Sequence, residues 1–191
     1  APRAMIELVD ALHDPEPGVR IGVIKAFEQA LPHEVELVLR SAIHCGDSEP
    51  DVTVQAFSTL MKVAPEASLD FVARYLDASE DVIVEAAAIV LGESRLADAL
   101  TLLMERCDVA PSYGSTKSAL YRAIALSRND TAYTFLLGVI KDEDVHEAGE
   151  AIKALAIYDY NEELKREVAA RVKTKGSTVL EELYRALWDG Q

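Results

Sequence analysis

Two His-Glu dipeptides are the residues of this chain whose types could build a metal centre, because imidazole nitrogens and carboxylate oxygens both bind transition metals. They are His33-Glu34 and His146-Glu147. A centre made from such pairs needs several of them on neighbouring helices, and the chain offers only two. One is predicted at the start of an outer helix and the other on an inner helix. We therefore expect helix-surface residues, no metal site and no cofactor.

The sequence also lacks the motifs of two other common kinds of catalytic site. No serine lies in a nucleophile-elbow sequence, and no glycine-rich phosphate loop is present. The two cysteines, Cys45 and Cys107, are expected two repeats apart, which corresponds to about 20 Å when neighbouring helices pack about 8–10 Å apart. A disulfide needs Cα atoms within about 7 Å. Both are predicted to be free thiols, which favours a reducing, cytoplasmic location.

A short pattern that occurs five times, about every 30–34 residues, indicates which elements must position these side chains. Its first three copies are the acidic turns 14–20, 47–52 and 77–82, each of which leads into a valine near the start of a helix. Two weaker copies lie at 111–116 and 142–145. A fixed period of this length predicts antiparallel helix pairs, A then B, stacked as a solenoid.

The expected fold is all-α: a right-handed α-α superhelix of about five helix pairs, closed by a C-terminal capping helical hairpin. The repeat array is predicted over residues 1–160 and the capping helices over 161–191, within one continuous domain. The last helix should cover the end of the array with one apolar face, formed by Leu180, Leu183 and Leu187. Its other face is polar, as a terminal repeat requires.

The B helices are apolar on more than one side, and the third has a single charge in ten residues. A helix of this kind is covered by neighbours on several sides. We therefore expect four repeated B-helix positions to be nearly fully buried. They are Val52, Ala56, Val82 and Ala86.

The net charge of −14 excludes some classes of partner. Such a charge repels phosphate backbones, so nucleic-acid binding is not expected, whereas a protein with a basic surface is favoured. No apolar run reaches about 18 residues, so no membrane span is expected. No secretory signal is visible, and a start at Ala1 without methionine is consistent with processing or with excision from a longer chain.

Carboxylates are concentrated in the turns between the A and B helices, and equivalent turns of a solenoid stack along one edge. This predicts an acidic rim. The rim is either a docking ridge for a basic partner or a set of helix caps. The predicted acidic rim consists of Asp14, Asp47, Asp51, Asp77, Asp81, Asp142 and Asp144.

A second predicted surface is the concave face lined by the B helices. Tyr121 and Arg122, with Lys117 one turn earlier, are predicted to project into it, together with Arg20 of the first repeat. Six of the seven tyrosines lie in the second half of the chain, and tyrosine is favoured at binding hot spots. The alternative interpretation is that large side chains fill space in weaker repeats.

The turn followed by Val-x-x-x-Ala-x-x-Ala-Leu resembles HEAT repeats, in particular the short HEAT-like repeats of phycobilisome lyase subunits. The first copy, Val19 to Phe27, is the most similar, including the arginine after the valine. The second and third copies have Thr53 and Ile83 at that arginine position. The resemblance covers about residues 3–158 and implies a helical solenoid, in a family that spans scaffolds, adaptors, chromophore lyases and a few enzymes.

We expect a non-enzymatic protein–protein interaction module, a scaffold or adaptor, that binds through the concave face or the acidic rim. No oligomeric state is implied. One alternative is a HEAT-repeat enzyme or enzyme subunit of bilin lyase-like type. His146-Glu147 also resembles the motif of deoxyhypusine hydroxylases, which hold di-iron with four such pairs, although two pairs do not meet that count. Another alternative is a structural segment of a larger chain.

Overall fold

A computed structural model of the chain describes residues 2–30, 32–111 and 114–188. Over these residues the regular structure consists of twelve α-helices and three short 3-10 helices, without a strand. The predicted all-α fold is confirmed. The chain divides into two compact units, residues 1–99 (unit 1) and 100–191 (unit 2). The last three residues of the predicted capping segment, 189–191, lie outside the described part.

Unit 1 contains three helix pairs, and a proline begins five of its six α-helices. Proline suits the first helical position because it lacks the N–H that would have no partner there and its φ angle is already helical. The B helices α2, α4 and α6 stack in that order. The α-helices are α1 (Pro2–Ala11), α2 (Pro17–Ala26), α3 (Pro32–Cys45), α4 (Pro50–Val63), α5 (Pro65–Ala73) and α6 (Asp81–Ser94).

Unit 2 also consists of helix pairs, and its last hairpin continues both layers. The B helices α8, α10 and α12 pack in succession, and α11 packs against α9. The predicted capping hairpin therefore forms the third helix pair of unit 2. The α-helices are α7 (Ala97–Val109), which begins just before the boundary, α8 (Ser115–Leu126), α9 (Asp130–Asp142), α10 (Val145–Leu155), α11 (Glu162–Lys175) and α12 (Thr178–Trp188).

Three of the four B-helix positions predicted to be buried are buried. Val52 is 5% exposed, Ala56 2% and Ala86 5%. Val82 is 43% exposed, so its predicted burial was wrong. The outcome supports the general placement of the B helices but not the alignment of the third repeat with the second.

The exposure of Val82 follows from where α6 begins. The N-cap of α6 is Glu80, so Val82 is the second residue after the cap, whereas Val52 is the third residue after Glu49. One residue rotates a side chain by about 100° around the helix axis. Val84, at 4% exposure, instead points into the core at the start of α6.

The last helix covers α10, although not with all of the predicted side chains. Leu180 is buried and Leu183 half-buried, but Leu187 is exposed and Trp188 is buried. The contact is close because α10 carries Gly149, where an added Cβ would lie 3.5 Å from Leu183 Cδ2 and 3.7 Å from Leu180 Cδ2. These are ordinary contact distances, which leave space for one methyl group.

Substitutions of Gly149 test this packing. Gly149→Ala is expected to keep or raise the stability by up to about 1 kcal/mol, because alanine favours a helix interior. Gly149→Leu should lower the stability by about 2 kcal/mol, since the larger side chain must push α12 away from α10. Urea unfolding followed by circular dichroism measures both. Equal midpoints for the two variants would show that α12 does not press against α10.

Candidate functional site

A groove between α4 and α6 is the surface of unit 1 that best fits a binding site, and we name it the B-helix groove. Its volume is about 490 Å³. Its floor is apolar, with Ala86 and Val90 buried and Ile89 half-buried. Among the described residues that line it there is no lysine, arginine or histidine. The lining residues are Val54, Gln55, Ser58, Val82, Glu85, Ala86, Ile89, Val90 and Glu93.

One face of α6 forms most of this groove. Val82, Glu85, Ala86, Ile89, Val90 and Glu93 recur at intervals of three, four, seven and eight residues, the spacing of neighbours on one helix face. The opposite face packs into the core, where Ala87 and Leu91 are fully buried. The third B helix is thus apolar all round because one side meets the core and the other lines an open groove.

A larger cleft lies between the A helices α1 and α3, above α2 and α4, with a volume of about 760 Å³. Leu12 and Val38 line its apolar walls, and both are half-buried. Its lining also contains Arg20 and Asp47. These two side chains pair with each other, and Asp14 and His13 also line the cleft.

Arg20, predicted for the concave face, is 8% exposed and joins the turns of the first two helix pairs. Its Nε and Nη2 donate to the two carboxylate oxygens of Asp47 at 2.8 and 2.6 Å. Its Nη1 donates to the backbone carbonyls of Asp14 at 2.8 Å and Pro15 at 3.2 Å. The guanidinium is therefore engaged within unit 1, so the predicted projection of Arg20 into a binding face was wrong.

This pairing changes the pKa of Asp47. Burial alone would raise it, but the hydrogen bonds from Arg20 and from the backbone N–H of Glu49 outweigh burial and lower it below the ordinary 3.8. The folded state therefore keeps a carboxylate that the unfolded chain would already protonate in mild acid. The stabilisation is present above the unfolded-state pKa and is lost as the pH falls through the folded-state pKa.

Asp47→Asn tests this contribution. The variant is expected to be less stable than the parent at pH 7, and the difference should shrink as the pH falls below about 4, where the unfolded chain takes up a proton before the folded carboxylate does. Urea unfolding at pH 7 and at pH 3 measures it. A stability difference of the same size at both values would mean that the charge of Asp47 does not contribute.

Tyr121 and Lys117, also predicted for the concave face, turn instead toward Glu147 in unit 2. Tyr121 is 1% exposed, and its Oη donates to Glu147 Oε2 at 2.6 Å. Lys117 Nζ donates to Oε1 of the same carboxylate at 2.7 Å. Burial, and then the hydrogen bond to Glu147, raise the pKa of Tyr121, so its hydroxyl stays a donor. Arg122 alone of the predicted set is exposed.

Glu147 was predicted to lie on the surface of its helix, but the residue is buried and only 2% exposed. It lies three residues after Asp144, the N-cap of α10, whose Oδ1 accepts its backbone N–H at 2.9 Å. Val19 and Val52 occupy the same position relative to the N-caps of α2 and α4. A glutamate at a repeat position that valine occupies in α2 and α4 was therefore the signal in the sequence for a buried carboxylate.

A cleft of about 460 Å³ opens beside Glu147 and is also lined by Cys107. Burial raises the pKa of the Cys107 thiol to about 12, so it is protonated at neutral pH and a poor nucleophile. Cys45 is exposed, and both cysteines are free. Within the described ranges, no group of three or more His, Cys, Asp or Glu residues could hold a metal ion.

The aspartates of the predicted acidic rim differ in their hydrogen bonds and in their exposure. Asp14 and Asp47 accept the backbone N–H two residues later, at 2.8 and 2.9 Å, and Asp144 caps α10. The capping interpretation therefore holds for Asp144, whereas Asp14 and Asp47 bind the N–H groups of Glu16 and Glu49, the N-cap residues of α2 and α4, which have no side-chain cap. A docking role for the rim stays a prediction. The remaining four, all exposed, are Asp51, Asp77, Asp81 and Asp142.

Comparison with known proteins agrees with the helix pairs of unit 1. A family model of HEAT repeats matches residues 5–92, which run from α1 into α6 and include all but the last residue of the B-helix groove. No curated protein matches the chain. In the part of the chain that is described, no helix is both long enough and apolar enough to span a bilayer. Residues 5–92 of the chain consist of HEAT repeats.

Proposed function

We propose that this chain is a non-enzymatic protein-binding module, a scaffold or adaptor, and that it binds a basic, partly apolar segment of another protein in the B-helix groove. The observation that carries the proposal is the lining of the groove. Its apolar floor supplies surface that a partner can cover, and the exposed carboxylate of Glu93 favours basic side chains. The net charge of −14 would steer such a partner toward the chain.

The position of Glu93 supports a binding role over a structural one. It lies in the last turn of α6, where a negative charge is unfavourable because the helix dipole already places partial negative charge there. Helix stability therefore does not explain a glutamate at this position. Of the rim residues, Asp47 is already paired with Arg20, and Asp14 and Asp144 each accept a backbone N–H.

Two groups that could act in catalysis, the Glu147 carboxylate and the Cys107 thiol, are buried in the structure, which supports a non-enzymatic role. Glu147 accepts hydrogen bonds from Lys117 and Tyr121, and the Cys107 thiol is protonated and buried. Two free thiols also fit a cytoplasmic location. Bound iron or a retained tetrapyrrole in the purified protein would overturn this part of the proposal in favour of an enzyme or lyase-like subunit.

Charge reversal in the groove tests the proposal. The immobilised chain is used to capture proteins from an extract of its source cells, which mass spectrometry then quantifies. Glu85→Lys/Glu93→Lys is expected to lose the proteins that the parent captures, because attraction becomes repulsion. Capture by the parent should also weaken with salt, since exposed charges are screened over about 8 Å at physiological ionic strength.

The matched control is Glu66→Lys/Asp70→Lys, which makes the same change in charge on exposed residues of the A helix α5. This control should capture the same proteins as the parent, and circular dichroism should confirm that all three chains fold alike. If both double variants lose the same proteins, the interaction depends on net charge and not on the groove. If neither loses them, binding occurs elsewhere and the groove assignment is wrong.

A further inference from the structure

We draw no further inference here: the strongest candidate, the cleft of unit 2 that opens beside Glu147, combines an ion pair between Lys117 and Glu147 with the exposed acidic side chains of Asp108, Asp142 and Glu143, and nothing in the described part of the chain shows what would bind there.

Discussion

Replacing Glu147 with leucine is expected to lower the free energy of unfolding by about 3 kcal/mol, because removal of one partner from a buried charge cluster leaves the others without compensation. The hydroxyl of Tyr121 would be buried without an acceptor. The ammonium of Lys117, whose side chain is 13% exposed, would lose its carboxylate. Urea unfolding at pH 7, followed by far-UV circular dichroism, measures the loss.

Glu150→Leu is the matched control, since Glu150 lies one turn later on α10 and also binds partners on α8 and α10. Its carboxylate accepts from Ser118 at 2.6 Å and from Lys153 at 2.6 Å. Lys153 has an exposed side chain, so the cost should be about 1 kcal/mol or less. Equal losses for the two variants would mean that the burial of Glu147 contributes nothing.

A double-mutant cycle separates the tyrosine from the lysine. Tyr121→Phe alone should cost about 1–2 kcal/mol, because it leaves one carboxylate oxygen of Glu147 without its donor. Tyr121→Phe combined with Glu147→Leu should cost less than the sum of the single changes, since the second change removes a bond that is already broken. Strict additivity would contradict an energetic bond between Tyr121 Oη and Glu147.

The helices could be predicted from the sequence because their signals are local. Pro17, Pro50 and Pro65 each begin a helix, and the fixed period repeats the evidence for a turn several times along the chain. A proline at the first helical position and an apolar stripe need no knowledge of the rest of the fold. Helix number and order were therefore predicted well.

Arg20, Lys117 and Tyr121 of the predicted concave site were placed wrongly because their partners are distant in sequence. Arg20 and Tyr121 look like surface residues, since a charged or hydroxyl-bearing side chain is seldom buried without a partner. The partners lie one repeat later: Asp47 is 27 residues after Arg20, and Glu147 is 26 residues after Tyr121. In this chain, complementary polar residues in successive repeats, 26 and 27 residues apart, are thus a signal of buried pairs, and that signal was present in the sequence.

The B-helix groove depends on how two successive B helices pack, which local patterns do not determine. The stripe on α6 was visible as Glu85, Ile89 and Glu93, but a stripe that lines an open groove and a stripe that is covered look alike in sequence. A difference of one residue in the N-cap also decides which side of α6 faces the core. That residue is Glu80, and the exposure of Val82 follows from it.

A glutamate at Ala87 tests this register. Ala87→Glu is expected to lower the stability by about 4 kcal/mol, because Ala87 is fully buried and the carboxylate would have neither water nor a partner. Val82→Glu, five residues earlier on the same helix, should cost less than about 1 kcal/mol. Val82 is 43% exposed and lies in the first turn, where a negative charge favours the helix dipole.

The comparison of the two variants decides between two alignments of the third repeat. If Glu80 is the N-cap of α6, as in the structure, Val82→Glu unfolds near the midpoint of the parent, and Ala87→Glu unfolds far below it or yields no folded chain. If Val82 instead occupied the buried position of Val52, Val82→Glu would be the damaging change. Thermal and urea unfolding of both variants beside the parent distinguish the cases, because the same side chain is introduced into the same helix and only its direction differs.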